Sequence, residues 1–136
     1  MNKGIALKNV PDLINCLDCF DKGIEWREKC LARGDDYVLP DYVKDLAHRI
    51  RLLINLEDYQ RTANDILKAF EFINLLQKPD FPDYFKQRIG GEIGNILFQI
   101  SSLPAEKREE IYKYAGENGE IIREIVGNFE ETQKSS

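Results

Sequence analysis

Cys16-Leu17-Asp18-Cys19 is a Cys-x-x-Cys. With Cys30 and His48, the chain's single histidine, it supplies the side-chain types of a Cys3His zinc site. Such a site needs all four donors at about 2.0–2.3 Å from one ion. If residues 11–32 form one helix, Cys30 lies about 21 Å along the axis from Cys16, and only a sharp break near Gly23 would let the four converge. Redox chemistry has less support. A thioredoxin-like Cys-x-x-Cys opens a helix after a strand, whereas this one falls in mid-helix. Three cysteines, an odd number, make no disulfide framework. Buried or interfacial thiols are the expectation, with no metal site and no cofactor.

Lys44, His48 and Arg51 return to one helix face in steps of four and three, and Arg49 adds charge beside them while pointing elsewhere. These four are the candidate contacts for nucleic acid or phosphate. Against that stands a solvated face balanced by Asp41 and Asp45. The whole-chain balance is also unfavourable: 19 Lys and Arg against 24 Asp and Glu, net −5. The acidity grows toward the C-terminus, which argues against broad phosphate neutralisation. Glu117, Glu120 and Glu124, with Glu109 and Glu110, read as an outer helix face, or as an acidic surface that occupies a basic partner.

Catalytic constellations are missing. The inward-facing Glu-x-x-His of di-iron bundles is absent, and Gly90-Gly91-Glu92-Ile93-Gly94 lacks the preceding strand of a phosphate loop. One histidine without a partner set gives nucleophilic catalysis no footing. The chain reads as a non-enzyme.

The elements that would position these residues are helices. At 136 residues the chain has the size of one domain. No segment approaches the roughly 18 uncharged residues of a membrane span, and residues 1–8 lack a signal peptide's apolar stretch, so a cytoplasmic location is expected. Residues 1–10 carry little pattern beyond Ile5 and Leu7 and read as an extended arm or one weak strand. A first helix is predicted to start near Pro11, with Leu13, Leu17, Phe20, Ile24 and Leu31 on its inner stripe and Cys16, Cys19, Gly23, Trp26 and Cys30 beside them. It should end near Gly34, leaving Arg33-Gly34-Asp35-Asp36 as a turn.

The run from Asp41 to Lys78, between Pro40 and Pro79, organises the chain. Its first part buries Val43, Leu46, Ala47, Ile50, Leu53 and Ile54; its second carries Leu52, Leu56, Tyr59, Ala63, Ile66, Phe70 and Ile73. The two stripes are out of register. With the helix-start residues Asn55 and Asp58, that favours two helices over one.

Pro79 and Pro82 force a loop, and a helix follows through Phe85, Ile89, Ile93, Ile96 and Ile100. Gly90 and Gly94, four apart, predict a close helix approach, with a hinge at Gly90-Gly91 as the alternative. Pro104 opens a charged helix burying Ile111 and Ala115. Gly116 and Gly119 mark a kink before a last amphipathic helix through Ile122, Ile125, Val126 and Phe129. Residues 130–136 read as a frayed tail.

The fold class predicted is all-α: one antiparallel bundle of four to six helices with short loops. Phe70, Phe72, Ile73, Leu75 and Leu76 make the 66–76 segment apolar nearly all round, the mark of a helix central to the bundle or shared with another chain. The function expected is therefore that of a helical accessory subunit or adaptor, self-associating and docking a protein partner through those five residues. The alternatives are a nucleic-acid-associated subunit using the basic face and, with less support, an acidic inhibitor.

Overall fold

The computed structural model describes residues 2–135, with side chains described from Asp12 to Lys134. Six α-helices follow one another: α1 (Asn2–Ala32), α2 (Leu39–Asn55), α3 (Tyr59–Phe70), α4 (Asp83–Ser101), α5 (Ala105–Tyr114) and α6 (Gly119–Ser135). Short 3-10 segments lie at Asp36–Val38, Ile73–Gln77 and Gly116–Asn118, and no strand occurs among the described residues. The all-α bundle is thus present, at the upper end of the expected helix count.

Glycine closes α1 as the sequence implies. Gly34 has φ +89, and the Gly34 and Asp35 amides donate to the Leu31 and Cys30 carbonyls at 3.0 and 2.9 Å. This left-handed cap satisfies two carbonyls that a helix end would otherwise orphan.

The same device separates α2 from α3 without a glycine. Glu57 takes φ +60; its amide donates to Ile54 at 3.0 Å and that of Asp58 to Leu53 at 2.9 Å. Asp58 then caps α3, its carboxylate accepting from the Arg61 amide at 3.2 Å. The predicted break is present; the capping residue is Asp58, and Asn55 is the last residue of α2. A left-handed L-residue costs about 1–2 kcal/mol, partly offset by the greater unfolded-chain entropy that glycine would bring. Glu57→Gly should therefore raise unfolding free energy by about 0.5–1 kcal/mol. Urea denaturation would measure it, and a loss of stability would contradict the strain at this residue.

α2 is the hub, packing on α1, α3 and α4, while α5 and α6 close the far side against α3 and α4. Cross-helix pairs give the directions. Phe20–His48, Arg27–Asp45 and Glu28–Tyr42 make α1 and α2 antiparallel. Arg49–Asp65 and Tyr42–Phe72 do the same for α2 and α3 with the segment after it, and Arg108–Glu130 and Arg123–Glu109 for α5 and α6. Val43, Leu46 and Ile50 of α2 are fully buried with Ile24, Ile66, Ile89, Ile96, Ile100, Ile111 and Ile122. Branched aliphatics from all six α-helices thus share one core.

Four expectations are corrected. Residues 2–10 are helical, since α1 begins at Asn2 and runs across Pro11. Residues 130–135 continue α6: no glycine or proline follows Gly127, and Arg108 reaches Glu130 at 3.4 Å. Ser136 lies outside the described residues.

The segment after Phe70 is not α-helix. The chain turns at Glu71-Phe72 and proceeds as 3-10, which lets Phe72 meet Tyr42 edge-to-face at 5.9 Å and Leu76 reach Gly90. Gly90 and Gly94 make neither a close helix approach nor a hinge. α4 is continuous across them, a Cβ on Gly90 would meet Leu76 at an ordinary 3.9 Å, and one on Gly94 would meet nothing within 4 Å.

Candidate functional site

Ionisable side chains from three helices meet at the α1–α2–α3 seam. Arg49 donates from Nε and Nη2 to both Asp65 oxygens at 2.7 Å, and from Nη1 to Asp21 at 3.0 Å. Arg61 reaches the same Asp21 oxygen at 2.9 Å. The Arg49 and Asp65 side chains are 9% and 4% exposed, so the pair is withdrawn from solvent. Burial opposes the charged guanidinium, but its bonds to Asp65 and Asp21 more than compensate, and its pKa lies above the ordinary arginine value.

Two helical turns along α1 and α2, Glu28 accepts from the Tyr42 hydroxyl at 2.8 Å and from Lys68 at 3.2 Å. Burial works to raise the Glu28 pKa, yet these donors outweigh it and hold it below the usual carboxylate range. Tyr42 is pushed up by burial and by its bond to Glu28, so it stays a donor. Asp45 goes the other way. Burial raises it, and the Arg27 contact at 2.6 Å does not fully offset that.

A depressed carboxylate stabilises the fold above its unfolded pKa and loses that contribution as pH falls through its folded pKa. Glu28→Gln should therefore cost up to about 1 kcal/mol at pH 7, a half-exposed pair's worth. The deficit should shrink below pH 4.5, the ordinary value for this group. Urea titrations of both proteins at pH 7 and pH 3.5 would show it. A deficit that grows on acidification would refute the assignment.

This constellation ties helices together and leaves no open coordination position or acid–base pair facing a cavity. It also removes Arg49 from the proposed basic face. Lys44 and Arg51 remain exposed, while His48 stacks on Phe20 with ring centroids 5.5 Å apart. Arg49 was misplaced because it occupies the apolar stripe Tyr42, Leu46, Arg49, Leu53, all of it buried. The cysteines do not converge. α1 runs unbroken through Gly23, Cys16 and Cys19 are exposed, and Cys30 is buried with Arg33 donating to its sulfur at 3.3 Å. On the acidic face Glu117 and Glu124 are exposed, and Glu120 lies 3.7 Å from Arg123.

A concavity lies at the end of the bundle where α1 stops. Leu31, Leu39, Phe72, Leu75 and Phe81 wall a pocket of about 440 Å³, with Asp36, Lys78 and Asp80 among its lining. That volume is within the range of small-ligand and side-chain sites. Two chain reversals build it: the glycine-capped turn into Asp36–Val38, and the 3-10 segment leading into Pro79. Tyr37 and Tyr84, from the segments that frame it, are 66% and 63% exposed. Phe81 and Tyr84 both pack on Phe85, at 5.9 and 6.0 Å between centroids.

Of the five residues expected to dock a partner, Phe72 and Leu75 line this pocket. Phe70 is buried, and Ile73 and Leu76 are partly buried against the core. Leu31, Leu39 and Phe81 were missed. They lie up to 50 positions apart, and no periodicity links them. No family model, curated protein or solved structure matches the chain.

Proposed function

We propose that this chain is a helical accessory subunit or adaptor that works by binding a protein, a second copy of itself included, and that the pocket beside Phe72 and Leu75 is where docking occurs. The observation that supports it is a pocket lined by the buried Leu39 and the partly exposed Leu31, Phe72, Leu75 and Phe81. Open apolar concavities of this kind cost solvation and are commonly sites that a partner's side chain fills.

Sedimentation at micromolar concentration tests the self-association part. Wild type should show a concentration-dependent dimer, and Leu75→Glu should weaken it at least tenfold while circular dichroism stays unchanged. A wild type that sediments as a clean monomer removes self-association. Affinity capture of a native partner by wild type but not by Leu75→Glu then becomes the test of the adaptor role, and equal capture by both would reject the pocket.

A further inference from the structure

We propose that the pocket's occupant is a protein segment presenting a bulky apolar side chain beside a lysine or arginine, with Asp36 and Asp80 receiving the cation; this rests on the docking reading above. The apolar part follows from the walls, Leu31, Phe72, Leu75 and Phe81 among them.

The sign of the charge comes from the lining. Neighbouring carboxylates are already engaged: Asp35 lies 3.6 Å from Arg33, and Asp41 lies 2.8 Å from Arg88. Asp36 and Asp80 have no side-chain partner among the described residues, and neither has Lys78. Two unpaired carboxylates against one ammonium leave the lining net negative. Both carboxylates are exposed, so a cation can reach them without being stripped of water first. The cost that makes buried pairs unprofitable does not arise here. Lys78, in the same lining, would favour an acidic segment, and the peptides below compare the two.

The probes are three tetrapeptide amides sharing a Leu-Phe centre, flanked on both sides by lysine, glutamine or glutamate and titrated into 15N-labelled full-length protein. The lysine peptide should shift amides within residues 36–39 and 72–81, with a Kd about fivefold or more below that of the glutamate peptide. A preference of that size is what one or two exposed ion pairs supply, and it should fade in 0.5 M salt. Asp36→Asn with Asp80→Asn should erase the preference while keeping the glutamine peptide bound. Both positions are exposed, so the variant is not expected to unfold.

If the three peptides bind equally, or the glutamate peptide binds best, the charge assignment is overturned and the pocket stands. If none shifts those amides at millimolar concentration, the docking reading falls, and this inference with it.

Discussion

Arg49→Met is expected to destabilise the bundle by about 3–5 kcal/mol, the cost of removing one partner from a buried ion pair. Asp65 would be left 4% exposed with both carboxylate oxygens stripped of their donors. Thr62 and Ile66, its neighbours on α3, are fully buried, so nearby water cannot replace the guanidinium. Against a typical domain stability of about 5–15 kcal/mol, such a loss is large.

A companion measurement separates the mechanism from simple loss of packing. Pairing Arg49→Met with Asp65→Leu should recover much of the loss, because an apolar pair of similar volume avoids the desolvation of both charges. Urea unfolding of the two variants at pH 7 decides it. If the double variant is no more stable than the single one, the stranded carboxylate is not the cause.

Gly119→Ala should be comparably damaging for a different reason. A Cβ on Gly119 would overlap the Tyr112 carbonyl oxygen and lie 3.2 Å from its carbon. The atoms struck are backbone, so no rotamer change relieves them, and α5 and α6 must separate at their joint. Overpacking commonly costs about 1–3 kcal/mol; a backbone collision belongs at or above the top of that range.

The control lies in the same helix. A Cβ on Gly127 meets nothing within 4 Å, so Gly127→Ala should stabilise by up to about 1 kcal/mol through helix propensity alone. Thermal unfolding of the two variants should move Tm in opposite directions, and a Gly119→Ala loss below about 1 kcal/mol would mean that the joint yields.

Much of the architecture could be read from one-dimensional patterns, because helix boundaries depend on local chemistry. Gly34 ends α1, Asp58 starts α3 and Pro82 precedes α4 since caps and breakers act within a few residues of themselves. The register shift between the Val43 and Leu52 stripes marked the α2–α3 joint for the same reason. The failures were also local. Residues 2–10 and 130–135 lack strong apolar pattern, yet they extend helices whose cores lie elsewhere. Apolar density after Phe70 suggested more helix, where a 3-10 segment serves packing on α4 better.

The candidate site was legible only in part. Phe72 and Leu75 stood out as excess apolar residues, but their companions Leu31, Leu39 and Phe81 are supplied by other chain segments. Asp21, Arg49 and Asp65 carried a signal that went unused. Each falls in an inward-facing row on its own helix: Leu17, Asp21, Ile24; Leu46, Arg49, Leu53; Thr62, Asp65, Ala69. A charge in a buried row requires an opposite charge on the facing helix, and three such charges on three consecutive helices imply one another.

By itself, then, the sequence determined that this protein is helical, where most of its helices begin and end, and which faces turn inward. Those properties follow from hydrogen-bond geometry and apolar periodicity over three or four residues. Only the tertiary structure decided that the Arg49 guanidinium takes both Asp65 oxygens and shares Asp21 with Arg61, and that Leu31, Leu39, Phe72, Leu75 and Phe81 line one cavity. Each of these depends on distances between elements remote in sequence, which packing sets and no local pattern encodes.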